Sequence, residues 1–106
     1  MKNYRGDTFF RNYEVQLDDG IYTFKEDDKI NLAFHNTETD EDFLERTITA
    51  FIDKTSVDVV WTADEMKQLK VGSYILETEV VTSDFTVTHQ EILTINEDYI
   101  VGEEDA

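Results

Sequence analysis

Trp61-Thr62-Ala63-Asp64-Glu65-Met66-Lys67-Gln68-Leu69-Lys70-Val71-Gly72-Ser73-Tyr74-Ile75-Leu76-Glu77 opens a stretch, running on to Ile95, whose reading decides the fold. Thr62 offers a hydroxyl to cap a helix, and Glu65, three residues on, can reach back to the cap. Met66 and Leu69 then give that turn one apolar face, and Gly72 is expected to end it. From Ser73 to Val81 the pattern changes to alternation. Tyr74, Leu76 and Val80 share one face, Glu77 and Glu79 share the other, and Ile75 and Val81 break the pattern. Ser83-Asp84 makes a turn, and a partner strand follows to Ile95. A capped turn feeding two adjacent alternating strands predicts an antiparallel β structure.

The flanking sequence extends that reading. Phe9, Tyr13, Val15 and Leu17 alternate with Asn12, Glu14 and Gln16, so Phe9 to Leu17 reads as one half-buried strand. Asp18-Asp19-Gly20 is a turn, Ile21 to Phe24 a short strand, Glu26-Asp27-Asp28 a polar turn, and Ile30, Leu32 and Phe34 the core side of another strand. Asn36 to Asp42 has no apolar residue and reads as an exposed loop. Phe43 to Ile52 resumes alternation, with Leu44, Ile48, Ala50 and Ile52 on one parity and Arg46 interrupting it. Val57, Val59 and Trp61 form a further strand, with Trp61 a core or staple residue rather than a ligand platform. Six to eight short strands with one helical turn predict an all-β, immunoglobulin-like antiparallel β-sandwich. Residues 1–101 are expected to form a single domain, and 102–106 a frayed acidic tail.

Composition limits function. At 106 residues the chain suits one core. It has no proline and no cysteine, so disulfides, thiolate nucleophiles and cysteine metal sites are excluded. With 25 acidic and 9 basic residues the formal charge is -16, which repels nucleic acid. The acids are spread: 13 lie at or before Asp53 and 12 after it. That spread suits a solvated surface better than a DNA-mimicking one. Behind Lys2 and Arg5 no apolar run follows, and no stretch is long enough for a membrane-spanning helix, so no signal peptide or membrane partner is expected.

Arg5-Gly6-Asp7-Thr8-Phe9 leading into a strand, then Trp61-Thr62-Ala63-Asp64-Glu65, then Leu69-Lys70-Val71-Gly72-Ser73-Tyr74-Ile75-Leu76-Glu77, resembles in order the N-terminal domain of phage baseplate upper proteins. Glu91-Ile92-Leu93-Thr94-Ile95-Asn96-Glu97-Asp98-Tyr99-Ile100 is similar to that family's closing strand. The family carries prolines before the glycine where Lys70-Val71 stand here, and an elongated region is expected to be missing after Ala106. The resemblance implies an immunoglobulin-like domain and a non-enzymatic structural or assembly role in a virion or prophage-encoded particle. It places the protein in a virion or the bacterial cytoplasm, with partners that are copies of itself or other virion proteins. The alternatives are an acidic DNA mimic that inhibits a nucleic-acid-binding protein and an extracellular adhesion module.

Candidate site residues are few. Glu38, Asp40, Glu41 and Asp42 cluster the hard oxygen ligands that calcium takes, which makes Glu38, Asp40 and Asp42 calcium candidates. The central glycine and terminal glutamate of a calcium loop are missing, and a solvated loop competes with that reading. Arg5-Gly6-Asp7 spells an integrin tripeptide but sits where a strand begins, a place for turn chemistry. His35 and His89 fall in strands, and Ser56, Ser73 and Ser83 fall in turns without a nucleophile-elbow signature, so no catalytic residues or cofactors are expected. Phe9-Phe10 and Val80-Val81 put apolar side chains on both faces of a strand. That makes Phe10 and Val81 interface candidates, covered either by another subunit or by a loop.

Overall fold

The computed structural model describes residues 3–97, so the expected tail at 102–106 and the domain end at residue 101 lie outside the described residues. In chain order the elements are β1 (Asn3–Tyr4), β2 (Phe9–Tyr13), β3 (Gln16–Leu17), β4 (Gly20–Ile21), β5 (Lys29–Asn36), β6 (Asp42–Ile48), β7 (Val57–Trp61), α1 (Ala63–Met66), β8 (Gly72–Val81) and β9 (Thr86–Asn96). One sheet has the order β1-β9-β8-β5-β6, a second pairs β2 with β7, and β3 and β4 form a small hairpin. The two main sheets face one another as an all-β sandwich. With β9, β8, β5 and β6 standing as strands G, F, C and C′, and β2 and β7 as B and E, the order is that of an immunoglobulin domain. Pairing is antiparallel except between β1 and β9, which run parallel.

The capped turn forms as its sequence dictates. Thr62 Oγ1 accepts from the Glu65 amide at 3.2 Å, and Glu65 Oε1 accepts from the Thr62 amide at 2.9 Å. Met66 and Leu69 are buried below it. The helix closes at Lys67, before Gly72. Gly72 instead opens β8 at φ 153°, a backbone region that disfavours a side chain. Two residues into β8, the Tyr74 hydroxyl donates 2.8 Å back to the Lys70 carbonyl. This is the tyrosine corner of immunoglobulin-like sandwiches.

Three strand readings are corrected as well. The strand expected over Phe9 to Leu17 breaks after Tyr13, and its end turns away as β3, which meets β4 across Asp18-Asp19. Beyond Ile21, the run to Phe24 leaves the sheet. Phe24 instead exchanges backbone hydrogen bonds of 2.9 Å with Asp53 and Lys54, while Tyr22 and Phe24 still enter the core. In β6 the parity slips: Leu32 pairs with Arg46 but Phe34 pairs with Phe43, so Leu44 and Glu45 together stand opposite Ala33. That is a β-bulge, and Leu44 takes the positive φ of 54° that it requires. One extra residue shifts the faces of the rest of the strand, to its end at Ile48. Arg46 and Ile48 therefore share the core side with Phe43, and past the strand's end the expected alternation to Ile52 stops, with Phe51 buried and Ala50 and Ile52 exposed.

Rings fill the space between the sheets. Phe9 of β2, Phe34 of β5 and Trp61 of β7 meet edge to face, with centroids 5.6 Å (Phe9–Phe34), 5.5 Å (Phe9–Trp61) and 5.2 Å (Phe34–Trp61) apart. Where antibody domains tie the sheets with a disulfide, this cysteine-free chain uses aromatic contacts. A second cluster joins Tyr22, Phe24, Phe51 and Phe85. Asp28, read as a turn residue, is buried there and accepts from the Tyr22 hydroxyl at 2.6 Å and the Lys25 amide at 2.8 Å. Burial, then the Asp28 partner, pushes the Tyr22 phenol up to about 12.

Trp61 is fully buried, and its indole Nε1 has no acceptor among the described residues. Trp61→Ala is expected to cost about 3–5 kcal/mol in urea unfolding, through lost contacts and a cavity. Trp61→Phe should cost clearly less, because it removes an unpaired buried donor. Equal losses in the two variants would contradict this.

Candidate functional site

The arginines hold the sandwich at its sides. Arg11, on the inner parity of β2, lies 4.1 Å from the Phe9 ring centroid and makes a bidentate bridge to Glu91 of β9, at 2.9 Å from Nε and 2.5 Å from Nη2. Its partner's hydrogen bonds hold the Glu91 carboxyl below its usual range, and the same bonds raise Arg11. On the other side Arg46, brought inward by the bulge, lies 5.2 Å from the Trp61 ring and donates to the Val60 carbonyl and Glu65 Oε2, each at 2.7 Å. The Thr62 amide first, and Arg46 after it, lower the Glu65 carboxyl. Arg5 donates to the Lys67 and Leu69 carbonyls at 2.9 and 3.2 Å, closing the turn after α1. Gly6 takes φ 86°. The Arg5-Gly6-Asp7 tripeptide is thus part of a turn whose arginine is engaged with the fold.

The acidic loop is organised around a histidine. His35 Nδ1 lies 2.8 Å from Asp42 Oδ1, and Nε2 lies 2.9 Å from Asp40 Oδ1. Asn36 Oδ1 accepts the Glu38 and Thr39 amides, folding the loop over the ring. Of the three calcium candidates, Asp40 and Asp42 are thus directed to His35, while Glu38 contributes its amide to the turn. Among the described residues no group of three or more histidine or acidic side chains is arranged to hold a metal ion.

The interface candidates separate. Phe9 and Val80 are buried, whereas Phe10 is 68% exposed on the outer face of β2. It stands in register with Val60 of β7, 49% exposed, so the two form one apolar cross-strand pair. Val81, on β8, is half-buried, and Val60 joins Phe10 in the apolar patch on β2 and β7. Asn12 and Asp58, the next outward pair, are joined by a 2.8 Å hydrogen bond.

A cleft missed in the sequence lies at the other side of β2. It encloses about 670 Å³ between that strand and the inner face of β8 and β9, with Tyr13, Val15, Val80, Phe85 and Val87 as its main apolar surface. The signal was present in β9: along one parity, Val87, His89 and Glu91 give way to the buried Leu93 and Ile95. A strand that is polar for half of its inner face reports that only the other half is covered. A shallower hollow of about 310 Å³ on the outer face of β5, β6 and β8 is lined by Asn31, Glu45, Glu77 and Glu79 among others. There Glu79 and Glu77 accept from Asn31 and Gln90.

No protein-family model, curated protein or solved structure matches the chain. No helix among the described residues is long and apolar enough to cross a membrane.

The His35 clamp yields a pH prediction. Hydrogen bonding to Asp42 first, against a smaller desolvation effect and with the charges of Asp42 and Asp40, raises the imidazole above its ordinary range. A raised folded-state value stabilises the fold below the unfolded-state pKa, and that contribution is lost as pH rises through the folded-state value. For Glu65 and Glu91, which are lowered, the contribution is lost as pH falls. By NMR titration, Asp42→Asn should lower the His35 midpoint, and an unchanged midpoint would contradict the clamp.

Proposed function

We propose that this chain is a non-enzymatic, immunoglobulin-like contact module that docks to protein through the outer face of β2 and β7, in a structural assembly of the phage or prophage kind. The observation that carries this reading is the Phe10–Val60 pair, two apolar side chains in register and open to water on a chain of charge -16. On a surface otherwise rich in acids, an apolar pair held on paired strands is a preorganised contact. The order of sequence motifs shared with baseplate upper proteins supplies the virion setting, and it does so by analogy alone, since a fold hosts many roles.

A DNA mimic needs rows of free carboxylates. Here Asp40 and Asp42 serve His35, Glu91 and Glu65 serve arginines, and Glu77 and Glu79 accept side-chain amides. The assembly reading asks less of these groups and is the stronger.

Light scattering tests it over a range of protein concentration. At about 0.15 M salt, where repulsion is screened beyond about 8 Å, the protein should form a defined oligomer, and Phe10→Lys should return it to monomer. Because Phe10 is exposed, the variant should keep wild-type stability. A wild-type monomer at every concentration, or an oligomer that Phe10→Lys leaves intact, would count against this face.

A further inference from the structure

We propose that the cleft beside β2 accepts an extended strand from a basic partner protein, which pairs with the free edge of β2 in the position an immunoglobulin sandwich gives to its first strand. The wall formed by Asn12, Tyr13, Glu14, Val15 and Gln16 is made of successive residues. Arg11 to Tyr13 of this side belong to β2, and Glu14 to Leu17 carry the chain past the strand's end into β3, so the wall combines the end of β2 with the segment that leads away from it. Facing it, Val80 and Val87 come from the inner face of β8 and β9. In an immunoglobulin sandwich the first strand lies next to the strand that β2 represents. Here β1 pairs with β9 in the other sheet, and that neighbouring position carries no strand among the described residues.

The backbone agrees. Among the described residues β2 forms its ladder with β7 only, and its Phe10 carbonyl accepts from the Arg11 side chain at 2.9 Å. An open edge above an apolar floor is the arrangement that strand addition uses, with main-chain bonds giving affinity and alternate side chains filling the floor. The Arg11–Glu91 bridge closes one end of the cleft, and the wall runs on to Leu17. The β2 part of the wall is Arg11 to Tyr13, which at about 3.3 Å per residue pairs with roughly three residues of an added strand.

Charge selects the occupant. Glu14 stands on the wall, the exposed Asp18 and Asp19 follow Leu17, and the whole chain carries -16. A strand with apolar residues facing Val80, Phe85 and Val87 and lysine or arginine facing outward gains on both sides. The cleft is separate from the Phe10–Val60 face, so Phe10→Lys should leave this binding unchanged.

The test uses the full-length protein at about 0.15 M salt, where long-range attraction is screened. The probe is a blocked peptide of about eight residues, a common strand length, alternating valine and lysine. Amide NMR should show saturable shifts confined to Asn12–Leu17 and the neighbourhood of Val80 and Val87. Replacing alternate valines of the peptide by proline, which removes ladder donors, should weaken binding at least about tenfold. Val87→Lys, at a position 44% exposed, should do the same to the protein. Non-saturating shifts spread over the acidic surface, or equal binding of the proline peptide, would overturn the proposal. So would concentration-dependent shifts at the cleft without peptide, which would place a second copy there.

Discussion

The contact among Phe9, Phe34 and Trp61 is the constraint on which the rest of the sandwich depends. A pair of strands is marginal alone in water, and β2 and β7 are brought together from distant parts of the sequence at a loop-closure cost. Their sheet persists because each strand sends one ring into the contact and the five-stranded sheet receives both on Phe34. The arginines extend this tie outward. Arg11 and Arg46 each lie against one ring of the contact and reach across it, to Glu91 on one side and to Val60 and Glu65 on the other. Each guanidinium is only partly buried, so its contribution depends on geometry and on the ring beneath it more than on charge alone.

A sheet of two strands covers part of a sheet of five, and both candidate surfaces follow from that mismatch. The outward parity of β2 and β7 must point to water, which leaves Phe10 and Val60 as a patch. The inner face of β9 from Val87 to Glu91 has no strand above it among the described residues, which leaves the cleft. The same rings that close the sandwich at Trp61 therefore define where it remains open. Function is read here from uncovered surface, not from a cluster of reactive groups.

Much of this was legible in the sequence wherever one local rule acts alone. The Thr62–Glu65 cap, the alternation of β5, β7 and β8, and the Asp18-Asp19 turn each follow from spacing and emerge as expected. Readings failed where a single residue changes register. The bulge at Leu44 has no glycine to announce it, and the arginine that seemed to interrupt an apolar face is the residue that covers Trp61. Asp28 looked like turn chemistry, and it is; what spacing could not show was that Tyr22 would come back over it. His35 and the acids of the following loop were visible separately, but the Asn36 turn that brings Asp40 and Asp42 to the same ring is a tertiary result. Phe10 was identifiable because Phe9-Phe10 cannot hide both rings in a two-layer fold, while Val60 emerged only from strand register.

A double-mutant cycle on Phe9 and Phe34, with Phe9→Leu, Phe34→Leu and the double variant unfolded in urea, tests most directly whether rings tie the sheets. If they do, the two losses are non-additive, with a coupling of about 1 kcal/mol beyond what burial accounts for. Losses that add to within about 0.3–0.5 kcal/mol would show two independent core residues, and the sandwich would have to be held by something other than the contact between them.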